Sequence, residues 1–221
     1  MKKIAVSLLI GLGSIAVSSI LAKKDITLED LKRTVQGKAT RTFSKSNLYA
    51  YPKYKDTLNK YKNSDDVNVK EQIALAKADK AGADEEVPGW NNALQEVTIF
   101  VQKNSGAKKD TDYQELTNAM AEIKRESDKL INTITTTNNT FFGGNRSTVF
   151  GTTKAHVDTK LEFMYIRNNL DAIIKKLELQ QFNNPGKKDA QYIVIFVAKY
   201  LKASALKASN DMVAEMERRR A

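Results

Sequence analysis

The chain contains no cysteine. That excludes disulfides, a lipid on a lipobox cysteine, Cys-x-x-Cys zinc sites and c-type haem attachment. Stability must come from packing alone. There is one histidine, His156, so the two-histidine HExxH metal motif is excluded as well. No Gly-x-Gly-x-x-Gly or phosphate-binding loop occurs, and Gly143-Gly144 stands isolated. Asp65-Asp66-Val67-Asn68 lacks the glycine and the spaced carboxylates of a calcium loop. Nothing resembles a Gly-x-Ser-x-Gly nucleophile turn. Three prolines and ten glycines are few for 221 residues. A sandwich of many short strands needs frequent turns, so this scarcity points to long helices.

What is present is the material of a folded domain. Hydrophobic residues make up 41 % and charged residues 28 %, which sets the chain apart from disordered ones. The length leaves room for a genuine core. The first residues read MKKIAVSLLIGLGSIAVSSILA before an abrupt polar switch. Two lysines, an apolar segment and Ala22 before the switch form the pattern of a bacterial secretory signal. The expectation is a signal peptide over 1–22 and one helical domain over 23–221. A retained membrane anchor is the alternative reading of the same segment. The formal charge is +10, and without Lys2 and Lys3 it is about +8. A basic exported protein is drawn to anionic surfaces.

Helical signals recur along the chain. Thr27 is a cap, and Leu28, Leu31 and Val35 carry a stripe that is expected to stop at Gly37. A polar loop is expected over 38–46. Pro52 to Lys62 reads as a short helix, and Val69 to Ala81 as another closed by Gly82. An acidic loop is expected from Ala83 to Gly89. Trp90, Leu94, Val97 and Val101 then mark a helix. After Asp110, a second cap, Tyr113, Leu116, Met120, Ile123, Ser127, Leu130 and Ile134 form a seam of steps of three and four. A helix over 154–181 is expected to bury Val157, Leu161 and Met164 first, then Ile166, Leu170, Ile173, Ile174 and Leu177. Asn183-Asn184-Pro185-Gly186 is a break.

The last element, Ala190 to Met216, organises the rest. It is apolar all round from Tyr192 to Ala198 and striped at Ala198, Leu201, Ala205, Ala208 and Met212. Its alternation of large and small residues fits a close neighbour, and the Asp110–Ile134 helix is the expected one. Its β-branched start also permits a buried strand, but the helical spacing continues for several turns. The predicted fold is an all-α antiparallel bundle of about five to six helices. A short β-hairpin or an aromatic loop is inserted near 140–151.

No residue set announces catalysis. No catalytic, cofactor-binding or metal-binding residue is assigned, and His156 reads as a surface or loop-edge residue. Two surfaces rise above background. Tyr49, Tyr51, Lys53, Tyr54, Lys55, Lys60, Tyr61 and Lys62 interleave rings and ammonium groups, as a polyanion or membrane interface does. Core-facing tyrosines beside solvated lysines would give the same spacing. Phe141, Phe142, Arg146 and Phe150 surround the Gly-Gly turn. If exposed, they form a contact; if buried, a plug. The expected function is a non-enzymatic interaction protein of the bacterial envelope, periplasmic or extracellular. Its expected partner is an envelope protein or an anionic surface, membrane or glycan, and not nucleic acid. No cofactor is expected. The alternatives are a small-ligand or haem carrier, using His156 and a helical methionine, and a cell-wall hydrolase using carboxylates.

Overall fold

The computed structural model describes residues 26–43, 67–137 and 153–220, with side chains over 26–43, 86–137 and 157–214 and at Glu217. Every regular element among them is a helix. They are α1 (Leu28–Thr42), α2 (Val67–Asn104), α3 (Thr111–Thr137), α4 (Thr153–Glu178) and α5 (Pro185–Arg220). The expected short helix from Pro52 to Lys62 and the insertion near 140–151 lie outside the described residues.

Local sequence chemistry sets the helix ends. The Thr27 hydroxyl accepts the Asp30 amide at 3.1 Å, and the Asp30 carboxylate accepts the Thr27 amide at 3.4 Å. This reciprocal box satisfies two donors that a helix start leaves open. Asn184 opens α5, its side-chain oxygen accepting the Lys187 amide at 3.3 Å, with Pro185 in the first helical position. Between α2 and α3 the chain reverses at Gly106, whose φ of 100° suits glycine alone. The Asp110 carboxylate closes that turn by accepting the Ala107 amide at 3.1 Å.

Three expected interruptions are absent. α1 runs past Gly37 to Thr42, because Ala39, Thr42 and Phe43 are buried beyond it. An exposed glycine inside a helix costs only about 1 kcal/mol, less than that burial returns. α2 is continuous through Gly82 and through the expected acidic loop. Pro88 sits inside it and cannot donate to the carbonyl one turn back. The surrounding alanines and glutamates are strong helix formers, and α1 packs across this stretch. The Thr42 hydroxyl donates to the Glu86 carbonyl at 3.1 Å, and the Phe43 ring meets Trp90 edge-on at 5.6 Å.

Pairs of residues fix the helix directions. Trp90 on α2 reaches Ser127 on α3 across the short turn. On α3, Glu115 meets Gln180 while Glu126 meets Asn169 of α4. Along α5, Gln191 bonds the Leu177 and Gln180 carbonyls, and Lys202 bonds Asp171 further along. From α3 to α4 and from α4 to α5 one number rises as the other falls, and α2 and α3 meet across a short turn, so successive helices from α2 to α5 are antiparallel.

α5 packs substantially against each of the other four helices, most extensively against α4. The Asp110–Ile134 helix is therefore one partner among several, and not the principal one. Ile193, Val194, Val197, Ala198, Leu201, Ala205, Ala208 and Met212 of α5 are buried. The α3 seam is buried from Leu116 to Ile134, with Tyr113 only half-buried. Trp90 is fully buried and donates its indole N–H to the Ser127 hydroxyl at 2.7 Å. A buried indole needs that partner.

α4 corrects one expected face. Phe163, Ile166, Leu170, Ile173, Ile174 and Leu177 are buried, but Val157, Leu161 and Met164 are exposed. They lie on a second apolar stripe, rotated away from the first. The Phe163 stripe meets α5 and α3, so the other is left facing solvent.

Candidate functional site

The surface with the most binding chemistry among the described residues is the outward face of α5. Tyr192, Phe196, Lys199, Ala203 and Leu206 follow at steps of four, three, four and three. That is one helical stripe, opposite the buried one. Tyr192 is 49 % and Leu206 40 % exposed, and Phe196 is half-buried. The expected all-round burial at this end of the helix therefore applies to Ile193, Val194 and Val197, but not to Tyr192.

α1 borders the stripe on one side. The rings of Tyr192 and Phe196 stack at 6.3 Å, and Phe196 meets the half-buried Tyr200 at 4.9 Å. The Lys32 ammonium lies 5.4 Å from the Tyr192 ring centre and 5.8 Å from that of Phe196. It is also bonded to Glu29 at 2.9 Å. The Glu29 hydrogen bond holds the Lys32 ammonium above the ordinary lysine range, and Lys32 in turn holds Glu29 below the ordinary carboxylate range. Lys32 is thus a fixed cation over an aromatic ladder.

α4 borders the other side, across an open groove of about 400 Å³. Four cations line it, Arg167, Lys175, Lys199 and Lys202, against two carboxylates, Asp171 and Glu178. The remaining wall is Ile174, Ala203 and Leu206. Asp171 is held by Lys202 and, at 3.0 Å, by Lys175. These two bonds, Lys202 first, hold its carboxyl below the ordinary range. Glu178 pairs with Lys199 at 2.8 Å. Both carboxylates are therefore engaged. The Arg167 Nε is buried and has no hydrogen-bond partner among the described residues.

Tyr49, Tyr51, Lys53, Tyr54, Lys55, Lys60, Tyr61 and Lys62 lie outside the described residues, as do Phe141, Phe142, Arg146 and Phe150. His156 lies in α4, at a position whose side chain is not described. Met120 and Met212 are buried in the apolar core, and Met164 is exposed. Among the described residues no group of three or more His, Asp or Glu side chains could hold a metal ion. Nor is any helix there long and apolar enough to cross a membrane.

The stripe on α5 was present in the sequence as a second set of steps of three and four. The abundance of apolar residues on that helix concealed it. The groove had no sequence signal, because it depends on which turn of α4 lies beside which turn of α5.

No protein-family model, curated protein or solved structure matches the chain.

Proposed function

We propose that this is a non-enzymatic interaction protein of the bacterial envelope, exported by its N-terminal segment, whose α5 face meets an anionic membrane surface. The observation that carries this reading is the stripe from Tyr192 to Leu206, flanked by Lys32 and by the cations of the groove. Tyrosine and phenylalanine suit the headgroup level of a bilayer, and lysine and arginine meet its phosphates. The net charge of +10 acts in the same direction over longer range. The lysine-initiated apolar segment over 1–22 supports export.

Co-sedimentation of the mature chain with anionic and neutral vesicles across a salt series tests this. Binding to anionic vesicles that weakens steadily as salt rises is the expected result, because exposed charges are screened. Equal binding to neutral vesicles, or none to anionic ones at low salt, would remove the proposal.

A further inference from the structure

We infer that the groove between α4 and α5 is a binding site for a small amphiphile with a single oxyanion head, phosphate or carboxylate, seated at Arg167. This rests on the reading of the α5 face as an anion-binding surface and names the ligand class of one part of it. The inference follows from how the groove distributes its charges. Lys202 and Lys175 converge on Asp171, and Lys199 takes Glu178. In helical spacing Asp171 is also the natural i,i+4 partner of Arg167. Its oxygens are already taken by the two lysines. Arg167 is left with a buried Nε that bonds nothing among the described residues.

An unbonded buried guanidinium nitrogen is costly unless something accepts from it. The planar fork of arginine fits a phosphate or carboxylate with two parallel hydrogen bonds. Four cations against two carboxylates leave the groove a surplus of two positive charges for such a head. The apolar part of the ligand has its own place. Ile174, Ala203 and Leu206 wall the groove, and Met164, 41 % exposed, lies one helical turn before Arg167 on the same side of α4. A groove of about 400 Å³ lies within the range of small-ligand sites.

The test is a titration of the isotope-labelled chain without residues 1–22 with octyl phosphate below its micelle concentration, followed by two-dimensional NMR. Inorganic phosphate and octyl glucoside are the head-only and tail-only controls. Octyl phosphate should shift the Arg167 Nε–H signal and the amides around Ala203 and Leu206, and both controls should bind about tenfold more weakly or worse. Arg167→Gln should weaken octyl phosphate by about tenfold, and Arg167→Lys by less, since it keeps the charge and loses the fork. Lys124→Gln, on the exposed surface of α3 outside the groove, should leave it unchanged. Thermal melts of each variant check that the fold is intact. Absence of shifts at Arg167, equal binding of inorganic phosphate, or equal weakening by Lys124→Gln would overturn the inference.

Vesicles distinguish the source of the head. If Arg167→Gln also lowers partitioning onto anionic vesicles, the groove takes a lipid headgroup; if partitioning is unchanged, it takes a free amphiphile. Both results keep the groove. Vesicle binding by the wild type without an octyl phosphate response would overturn the groove while leaving the membrane reading in place. The reverse pattern would do the opposite.

Discussion

The two faces of α5 are built from the same kinds of residue and meet different surroundings. The inward face carries Val194, Val197, Leu201, Ala205, Ala208 and Met212 at steps of three and four, and these are buried. The outward face carries Tyr192, Phe196, Lys199, Ala203 and Leu206 at equivalent steps, and several of these are open to solvent. Composition separates them only weakly. Neighbours separate them strongly: all four other helices pack on α5, most extensively α4, yet the outward stripe stays open between α1 and α4. An apolar stripe on a helix therefore does not declare whether it will be buried or left open to solvent.

The largest expected effect lies at Leu201. It is completely buried on the helix that joins all the others. Leu201→Asp places an unpaired carboxylate there and should cost more than about 4 kcal/mol, enough to abolish cooperative unfolding followed by circular dichroism. A melting curve like that of the wild type would make α5 peripheral.

The next effect lies at Trp90 and Ser127. Removing the hydroxyl in Ser127→Ala leaves the indole N–H buried without an acceptor, at a cost of about 1–3 kcal/mol. Trp90→Phe added to it should then cost less than the sum of the two single changes, read as a non-additive double-mutant cycle. Strict additivity would mean that the 2.7 Å contact carries little energy.

Outward positions should behave in the opposite sense. Gly37 lies on the exposed side of α1, and nothing stands within 4 Å of a methyl group added there. Gly37→Ala should stabilise the protein by up to about 1 kcal/mol, seen as a higher denaturant midpoint. Destabilisation would contradict the continuation of α1 through this residue.

The smallest effect concerns Asp171, which ties α4 to α5 through Lys202 and Lys175. Its carboxyl is held below the ordinary range in the folded protein. A depressed carboxyl contributes stability that is present above its unfolded value, near pH 4, and is lost as pH falls through the lower folded value. Asp171→Asn should therefore lower the melting temperature at pH 7 and have progressively less effect below about pH 4. A difference that stays constant across that range would show that these ion pairs do not stabilise the fold.

The parts of this architecture legible in the sequence are those governed by near neighbours. The Thr27 cap is a three-residue device, and its box with Asp30 forms as the residue types require. The α3 seam keeps its period over several turns, and Leu116, Met120, Ile123, Ser127, Leu130 and Ile134 are all buried. Elsewhere distant packing decides. Gly37 and Gly82 have the chemistry of helix ends, but the burial of Ala39, Thr42 and Phe43 carries α1 onward, and helix formers carry α2 onward. α4 offers two apolar stripes, and only its position beside α3 and α5 selects that of Phe163 over that of Val157, Leu161 and Met164. The groove at Arg167 is a juxtaposition of two helices, which no local pattern encodes.

The inward face of α5 holds the fold, and the outward face is proposed to bind. One measurement tests it most directly: the double variant Tyr192→Ser, Leu206→Ser, assayed in parallel for thermal stability and for partitioning onto anionic vesicles at low salt. The expected result is a loss of about 1 kcal/mol per site from the aromatic stacking and partly buried area, far less than at Leu201, together with a clear loss of partitioning. A large loss of stability, or undiminished partitioning by a folded variant, would contradict it.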